Sequence, residues 1–331
     1  MAYKHLSIEE RHYIETRLKL GQSLNGIAQE LGRSQSTLSR ELERNSGQRG
    51  YRHKQADKRA KHRHTEKPKF IKLTDELKSN IDALLQQDWS PEQISGRMKQ
   101  ECKEVVCHET IYQHVLADKR AGGKLHLHLR RHPKKYRKRY GSVTGSCKGI
   151  PNRVDIDARP EVVNQRQRLG DWEADTMIGK GHKGVLVTLD ERKSKLRLAI
   201  PAAKKTAEAV TSSIVTLLDR FKDWVYTITF DNGKEFANHE QLVQAIGCKT
   251  YFAKPYHSWE RGQNENANGL LRQYFPKAMG LLDVTTQQVV EAVHKLNSRP
   301  RKCLGFRTPY EVFCELSGIS TEKLLSYALI T

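Results

Sequence analysis

The stretch DWEADTMIGKGHKGVLVTLDERKSKLRLAI, residues 171–200, decides the fold of this 331-residue chain. Its segments DWEADTMI, GVLVTLD and KLRLAI have the length of strands and are joined by short polar turns, which predicts three successive β-strands. A helical period over 206–221, the apolar strand VYTITF and a helical segment near 238–246 follow. Strands that alternate with helices predict a mixed α/β layer architecture for the second half of the chain.

Three acidic residues alternate along the first of these strands. Asp171, Glu173 and Asp175 are two positions apart, so their side chains project from one face of the sheet. Like charges at this spacing are costly unless solvent or cations meet them. For Asp171 and Glu173 a competing interpretation is a solvated edge strand, whose charges oppose aggregation. Asp175 is followed by apolar residues, and we expect it to lie deeper.

Two further carboxylates lie downstream, each in a context that has an ordinary explanation. Asp231 directly follows VYTITF, at the end of a strand where open α/β sheets place ligands, but Asp-Asn-Gly is also a common turn. Glu265 lies in a helix predicted to begin near Gly262, where a first-turn glutamate also interacts favourably with the helix dipole. Neither residue identifies a site on its own.

The three motifs in this order, however, resemble those of the DDE transposases and retroviral-type integrases. WEAD resembles the family's Trp-x-x-Asp, TFDNGKEF its Asp-Asn-Gly-x-x-Phe, and GQNENAN its Gly-x-x-Glu-x-x-Asn. The 33 residues between Asp231 and Glu265 are a typical spacing for this superfamily. The segments NENANGLLRQYFPK and NSRPRKCLGFRTPYEVF are similar, more narrowly, to insertion-sequence transposases of the IS30 family, and the resemblance covers nearly the whole chain.

The resemblance implies a ribonuclease H-like catalytic core, a mixed sheet flanked by helices, preceded by all-α helix-turn-helix units. It implies that Asp175, Asp231 and Glu265 are the catalytic residues and hold two Mg²⁺ ions, for which Mn²⁺ can substitute. Asp175 would bridge both ions, with Asp171 and Glu173 behind it. Hard divalent ions prefer such oxygen ligands. The implied activity is that of a transposase, a polynucleotidyl transferase that cuts and joins DNA strands at the terminal inverted repeats of an insertion sequence.

The first 50 residues predict a DNA-binding unit. Capping residues at Ser7 and Ser23 and breaks at Gly21 and Gly32 delimit three short helices with apolar positions at helical spacing. The third helix, about 34–44, has a polar, basic outer face of the kind that enters a major groove. A three-helix bundle with no DNA role would have the same apolar stripes.

Three groups of side chains are expected to contact DNA. The candidates are Arg33, Gln35, Ser36, Ser39, Arg40 and Arg44 around the third helix, Lys134, Lys135, Arg137, Lys138 and Arg139 in a basic run, and Asn264, Asn268 and Arg272 beside Glu265.

The distribution of charge and of helix-capping residues predicts the domain boundaries of the chain. Residues 1–150 contain 32 of the 58 basic residues but 17 of the 38 acidic ones, so the front half should bind a polyanion. We predict a helix-turn-helix domain at 1–50, a basic linker at 51–70, a second helical unit at 71–118, a basic arm at 119–160 and the catalytic core at 161–331. A passive spacer explains 51–70 nearly as well, and 71–118 has two interpretations, DNA binding or simple helical packing.

Composition argues against several other classes of protein. The chain has no apolar run of membrane-spanning length, its start lacks the apolar core of a secretory signal, and its six cysteines form no Cys-x-x-Cys pair. We expect a cytoplasmic, nucleoid-associated bacterial protein with no membrane partner. Its expected partners are double-stranded DNA, both transposon ends and target, and further copies of itself in a homodimer or larger homo-oligomer. The alternatives are a helix-turn-helix transcriptional regulator without catalysis and a structure-selective nuclease.

Overall fold

The computed structural model describes residues 5–66, 73–102, 105–130, 150–254 and 262–328. The chain folds into two compact units, 1–72 and 73–331. Within the described ranges, every helix is too short or too polar to cross a bilayer.

In the first unit, the described residues 5–66 form four helices. They are α1 (Ile8–Lys19), α2 (Leu24–Glu30), α3 (Gln35–Asn45) and α4 (His53–Glu66). Ser7 forms a capping box with Glu10 at the start of α1, and the Ser23 side chain caps α2. Gly21 and Gly32 adopt φ values of 76° and 61°, a left-handed conformation that favours glycine, so the chain turns where the sequence predicted it.

The sequence predicted a basic linker at 51–70, but most of this segment forms helix α4. Ala56 and Asp57 are buried against the other helices, and the buried guanidinium of Arg11 on α1 bonds to Asp57 at 3.0 Å and to Glu41 of α3 at 2.8 Å. The helix is held by an ion-pair network rather than by an apolar stripe. Apolar periodicity therefore could not predict this helix.

The second unit begins with three helices and a small core of their own. These are α5 (Asp75–Gln86), α6 (Pro91–Gln100) and α7 (His108–Arg120). A capping box of Ser90 and Gln93, with Pro91 in the first turn, opens α6. The core of this cluster is Leu77, Ile81, Leu85, Ile94, Met98, Val106, Ile111, Val115 and Leu125.

A five-stranded mixed sheet forms the centre of the second unit. Its strands are β1 (Asp171–Ile178), β2 (Val185–Glu191), β3 (Arg197–Ala202), β4 (Thr227–Phe230) and β5 (Lys249–Phe252). They lie in the order β3-β2-β1-β4-β5. Strand β2 is antiparallel to its two neighbours β1 and β3, and β4 and β5 are parallel to β1. The predicted fold class, a mixed sheet flanked by helices and preceded by a helix-turn-helix domain, is confirmed.

Two apolar cores cover the sheet. One core includes Trp172 and Ala174 of β1, and the other includes Met177 of the same strand, because successive side chains point to opposite faces. The first core takes in residues of α9 (Ala207–Leu218), α10 (His239–Ile246), α13 (Pro309–Ser317) and α14 (Thr321–Ala328), and the second takes in residues of α11 (Gly262–Leu271) and α12 (Thr286–Asn297). A short helix, α8 (Glu161–Asn164), precedes β1.

Strand β1 lies in the middle of the sheet, so the interpretation of Asp171 and Glu173 as charges on a solvated edge strand is wrong. The two residues are 0% and 1% exposed. Asp171 is paired with Arg168 at 3.0 Å and accepts a hydrogen bond from Thr227, and Glu173 is paired with the buried Arg192. A buried carboxylate requires such a partner, and neither arginine was identified from the sequence.

Candidate catalytic site and DNA-binding surface

Two of the predicted carboxylates belong to neighbouring strands: Asp175 lies on β1, and Asp231 directly follows β4. In the parallel pair formed by β1 and β4, Asp171 lies opposite Thr227 and Glu173 opposite Thr229. This pairing ends two positions before Asp175 and Asp231. If the chain after β4 kept the same register, the two carboxylates would be neighbours on one face of the sheet.

The third carboxylate, Glu265, lies on helix α11, and another residue of this helix is hydrogen-bonded to Asp175. Asn268 of α11 donates its side-chain amide to Asp175 Oδ2 at 2.7 Å, and the backbone N–H of Thr176 donates to Asp175 Oδ1 at 2.9 Å. Glu265 lies one turn before Asn268 on α11 and is exposed. The hydrogen bond from Asn268 therefore holds the helix that carries Glu265 against the strand that carries Asp175.

The chemistry of these donors fits a hard divalent cation, since all three are carboxylates. Their arrangement does not yet form a closed metal site: among the described residues, no group of three or more His, Cys, Asp or Glu side chains is placed to hold an ion. Asp231 Oδ1 accepts a hydrogen bond from the backbone N–H of Gly233 at 2.9 Å, and Glu265 faces solvent. The three side chains would therefore have to close around a cation.

A buried network lies behind Asn268. Arg197 of β3, which is 2% exposed, forms a forked ion pair with Asp190 of β2 at 2.8 and 2.6 Å. The same guanidinium donates to the side-chain oxygen of Asn268 at 2.9 Å and to the carbonyl oxygen of Ala267 at 2.6 Å. Arg197 also exchanges two backbone hydrogen bonds with the side chain of Asn297 on α12. The amide of Asn268 is thus oriented, with its nitrogen towards Asp175.

Neither Arg197 nor Asp190 was predicted from the sequence. The available signal was a charged residue next to apolar ones in each of two strands, Arg197 in LRLAI and Asp190 in GVLVTLD. A charge at such a position must be compensated inside the protein or bind something there.

The side chains beside Glu265 that were predicted to contact DNA are engaged inside the protein. Asn264 is 2% exposed, and Asn268 belongs to the network just described. Arg272 donates to the carbonyl oxygens of Ile178 at 2.9 Å and Phe275 at 3.4 Å, and burial lowers the pKa of Arg272. In this structure the three residues fix α11 and the segment after it, because their polar groups already have protein partners.

The outer face of α3 has the composition expected of a recognition helix. The exposed candidates on this helix are Gln35, Ser36, Ser39, Arg40 and Arg44. Arg33, which precedes the helix, is half-buried and forms an ion pair with Glu10 at 3.0 Å. The basic-run candidates Lys134, Lys135, Arg137, Lys138 and Arg139 lie outside the described residues.

Comparison with known proteins covers both units. A family model described as a helix-turn-helix domain matches residues 2–45. The chain is 44% identical over 315 residues to the transposase for insertion sequence element IS4351 of Bacteroides fragilis, a match that covers 95% of this chain and 96% of that protein. It is 36% identical over 332 residues to transposase InsI for insertion sequence element IS30C of Escherichia coli (strain K12), covering 94% and 84% of the two chains.

Among solved structures, the catalytic core domain of BIV integrase matches with 26% sequence identity and a TM-score of 0.37, over 45% of this chain and 95% of that chain. The curated relatives extend along both units, from the helix-turn-helix to the sheet with its carboxylates. A transcriptional regulator without catalysis does not account for similarity of this extent. The chain belongs to the IS30 family of insertion-sequence transposases.

Proposed function

We propose that this transposase binds the terminal inverted repeats of its element through α3 and cuts and transfers DNA strands at a site formed by Asp175, Asp231 and Glu265. The observation that supports the proposal is the parallel register between β1 and β4, in which Glu173 lies opposite Thr229; continued by two residues, this register would bring Asp175 next to Asp231. The hydrogen bond from Asn268 to Asp175 supports the third assignment, because it holds the helix of Glu265 against β1.

In this proposal Asp175, Asp231 and Glu265 would hold two divalent metal ions between them, with Asp175 as the shared residue. When bound, two Mg²⁺ ions, for which Mn²⁺ can substitute, would stabilise charge on the scissile phosphate and on the attacking and leaving oxygens. The protein supplies the orientation. Asn268 holds Asp175 Oδ2, and the N–H of Gly233 holds Asp231 Oδ1.

The chemistry consists of two phosphoryl transfers without a covalent protein intermediate. In the first, a water oxygen bonds to phosphorus as the P–O3′ bond at the element end breaks, which frees a 3′-hydroxyl. In the second, that hydroxyl bonds to a target phosphorus, and the target's own O3′ leaves. Strand joining distinguishes this activity from that of a structure-selective nuclease, which would stop after the first step.

Two ends must be processed together for an element to move, so we propose that the chain acts as a homodimer or larger homo-oligomer on transposon ends and target DNA. Because its relatives include transposases of bacteria, we place this activity on the DNA of a bacterial cytoplasm.

The proposal is tested with Asp231→Asn, which keeps the shape of the side chain but removes its charge. With a labelled terminal-repeat duplex and Mg²⁺, we expect the rate of end cleavage to fall by at least about a thousandfold, since metal-assisted charge stabilisation is worth several kcal/mol. Binding of the duplex should be unchanged. The matched control is Asp219→Asn, an exposed aspartate of the same unit paired with Lys222, which should cleave like the wild type. Normal cleavage by Asp231→Asn would remove this residue from the site.

A further inference from the structure

The first unit contains an open groove between α3 and α4. Its volume is about 590 Å³. The walls are formed by one stripe of α3, one stripe of α4 and the chain at the start of α1. The lining residues are His5, Leu6, Ser7, Ile8, Arg11, Thr37, Arg40, Glu41, Arg44, Asp57, Ala60, Lys61, Arg63 and His64.

The groove is basic because Arg11 and Lys61 together balance its two acidic residues, which leaves the charges of the other arginines in excess. Glu41 and Asp57 both bind the buried Arg11, at 2.8 and 3.0 Å, and Asp57 also binds Lys61 at 2.7 Å. Arg40 and Arg44 are exposed on the α3 wall, and within the described ranges neither side chain forms an ion pair. Positive charges that face one another across an open groove repel unless an anion lies between them.

The opposite wall, formed by α4, contains Lys61 and Arg63, and this helix is hydrogen-bonded to the end of α3. Lys61 of α4 has a side chain that is 75% exposed, in an i,i+4 pair with Asp57 at 2.7 Å. Arg63 donates to the carbonyl oxygen of Arg44 at 2.8 Å, and Arg59 donates to that of Ser46 at 2.7 Å. These bonds tie α4 to the carboxyl end of α3, so the width of the groove is fixed by the fold.

We infer that this groove holds the sugar-phosphate backbone of the DNA duplex whose major groove α3 enters. The inference rests on the proposed binding of DNA by α3, and it extends the DNA-binding module to α4, beyond the residues 2–45 that match the helix-turn-helix family model. A backbone strand borders each side of a major groove, and α3 itself is one wall of the cavity. Lysine and arginine are the residues that contact phosphates most readily, without reading sequence.

The chain offers a matched pair of lysines for the test. Lys61 lies in the groove, paired at i,i+4 with Asp57 at 2.7 Å and with a side chain 75% exposed. Lys19 of α1, which is not among the residues that line the groove, is paired at i,i+4 with Glu15 at 2.6 Å and has a side chain 72% exposed. Lys61→Gln and Lys19→Gln remove the same charge from the same kind of pair. Asp57 keeps its bond to Arg11 in the first variant, so the fold should survive.

The full chain is titrated with terminal-repeat and scrambled duplexes by fluorescence anisotropy between 0.05 and 0.3 M NaCl. For Lys61→Gln we expect the slope of log Kd against log salt to fall by about 0.9, and Kd to rise about fivefold at 0.15 M, because one phosphate contact releases about 0.9 of a counterion. The loss should be equal on both duplexes. Lys19→Gln and the charge-retaining Lys61→Arg should keep the wild-type slope.

Each other result has a distinct meaning. If the wild-type protein binds neither duplex, the proposed function fails. If it binds and Lys61→Gln keeps the wild-type slope, the groove holds no phosphate and only the inference fails. A loss confined to the terminal-repeat duplex would show base recognition rather than a backbone contact. Equal losses in Lys61→Gln and Lys19→Gln would show a general effect of net charge, and either outcome overturns the inference.

Discussion

The buried pair of Arg197 and Asp190 allows two effects to be tested separately: the position of α11, which carries the proposed catalytic residue Glu265, and the stability of the sheet. Removing Arg197 alone would leave Asp190 buried and unpaired, at a cost of about 3–5 kcal/mol, which is a large part of a typical folding free energy. Replacing both residues with apolar ones of similar volume is often neutral. Asp190→Leu/Arg197→Met should therefore fold, but it loses the 2.9 Å bond to Asn268 and the 2.6 Å bond to Ala267.

Without Arg197, the side-chain oxygen of Asn268 loses its 2.9 Å donor, so the amide is held less firmly in the direction of Asp175. Residues that orient metal ligands from behind typically contribute 10–100-fold to metal affinity or activity. We expect the double variant to melt within a few degrees of the wild type. The Mg²⁺ concentration for half-maximal cleavage should rise by about 10–100-fold, and the affinity of the DNA-free protein for Mn²⁺, measured by electron paramagnetic resonance, should fall by a similar factor.

The second buried pair of the sheet provides the control. Glu173 and Arg192 are also almost fully buried, but Arg192 bonds to the carbonyl oxygen of Val163 in α8. Glu173→Leu/Arg192→Met should keep the wild-type response to both metals. A stable Asp190→Leu/Arg197→Met variant with normal metal affinity would refute the role of Arg197. Equal losses in the two double variants would show a general effect of disturbing the sheet.

Two further outcomes test the fold itself. Hydrogen bonds from Lys19 and His53 lower the pKa of Glu15 from its ordinary value of 4.5 to about 2. The ionised carboxylate therefore stabilises the folded state at pH values above 4.5, and this stabilisation is lost as the pH falls towards 2. Glu15→Gln should cost about 1–2 kcal/mol at pH 7 in urea denaturation, with the difference closing at acid pH, and a constant difference would contradict the assignment. In α6, a Cβ on Gly96 would lie 2.2 Å from the Phe306 ring, whereas one on Gly26 of α2 would lie 3.3 Å from the end of the Gln22 side chain. Gly96→Ala should therefore destabilise its unit by about 1–3 kcal/mol in thermal melts, while Gly26→Ala should be nearly neutral, and equal effects would contradict the packing.

Apolar periodicity and helix punctuation were sufficient to predict most of the secondary structure. The strands at 171–178, 185–191 and 197–202 and the helix at 239–246 form where the sequence predicted them. The errors have one physical origin. Helix α4 and the central position of β1 both depend on buried charges with distant partners, and a polar residue that is compensated in the fold has the same sequence signature as one that faces water.

The candidate site, like the fold, could be predicted from the sequence only in part. Asp175, Asp231 and Glu265 were found because each lies in a short motif, and their assignment as metal ligands stays a prediction. Asn268 lies in the third motif as well, but the hydrogen bonds that orient these carboxylates could not be found in this way. The bond from Asn268 to Asp175 spans 93 positions in the chain and that from Arg197 to Asn268 spans 71. A local pattern identifies an acidic side chain, but the hydrogen bonds that set its direction form only when separate elements pack.

The segment NSRPRKCLGFRTPYEVF supported the family resemblance, and the structure gives it a mechanical rather than a chemical role. Glu311 from this segment forms a forked ion pair with Arg97 of α6 at 2.8 and 2.7 Å, and the carbonyl oxygen of Pro300 accepts a hydrogen bond from Gln93 at 2.8 Å. Phe306 packs directly on the Cα of Gly96, where a side chain would not fit. A sequence motif can thus be specific to a family because it fixes one module onto another. In this chain, these contacts hold the helices at 75–120 at a defined position relative to the sheet.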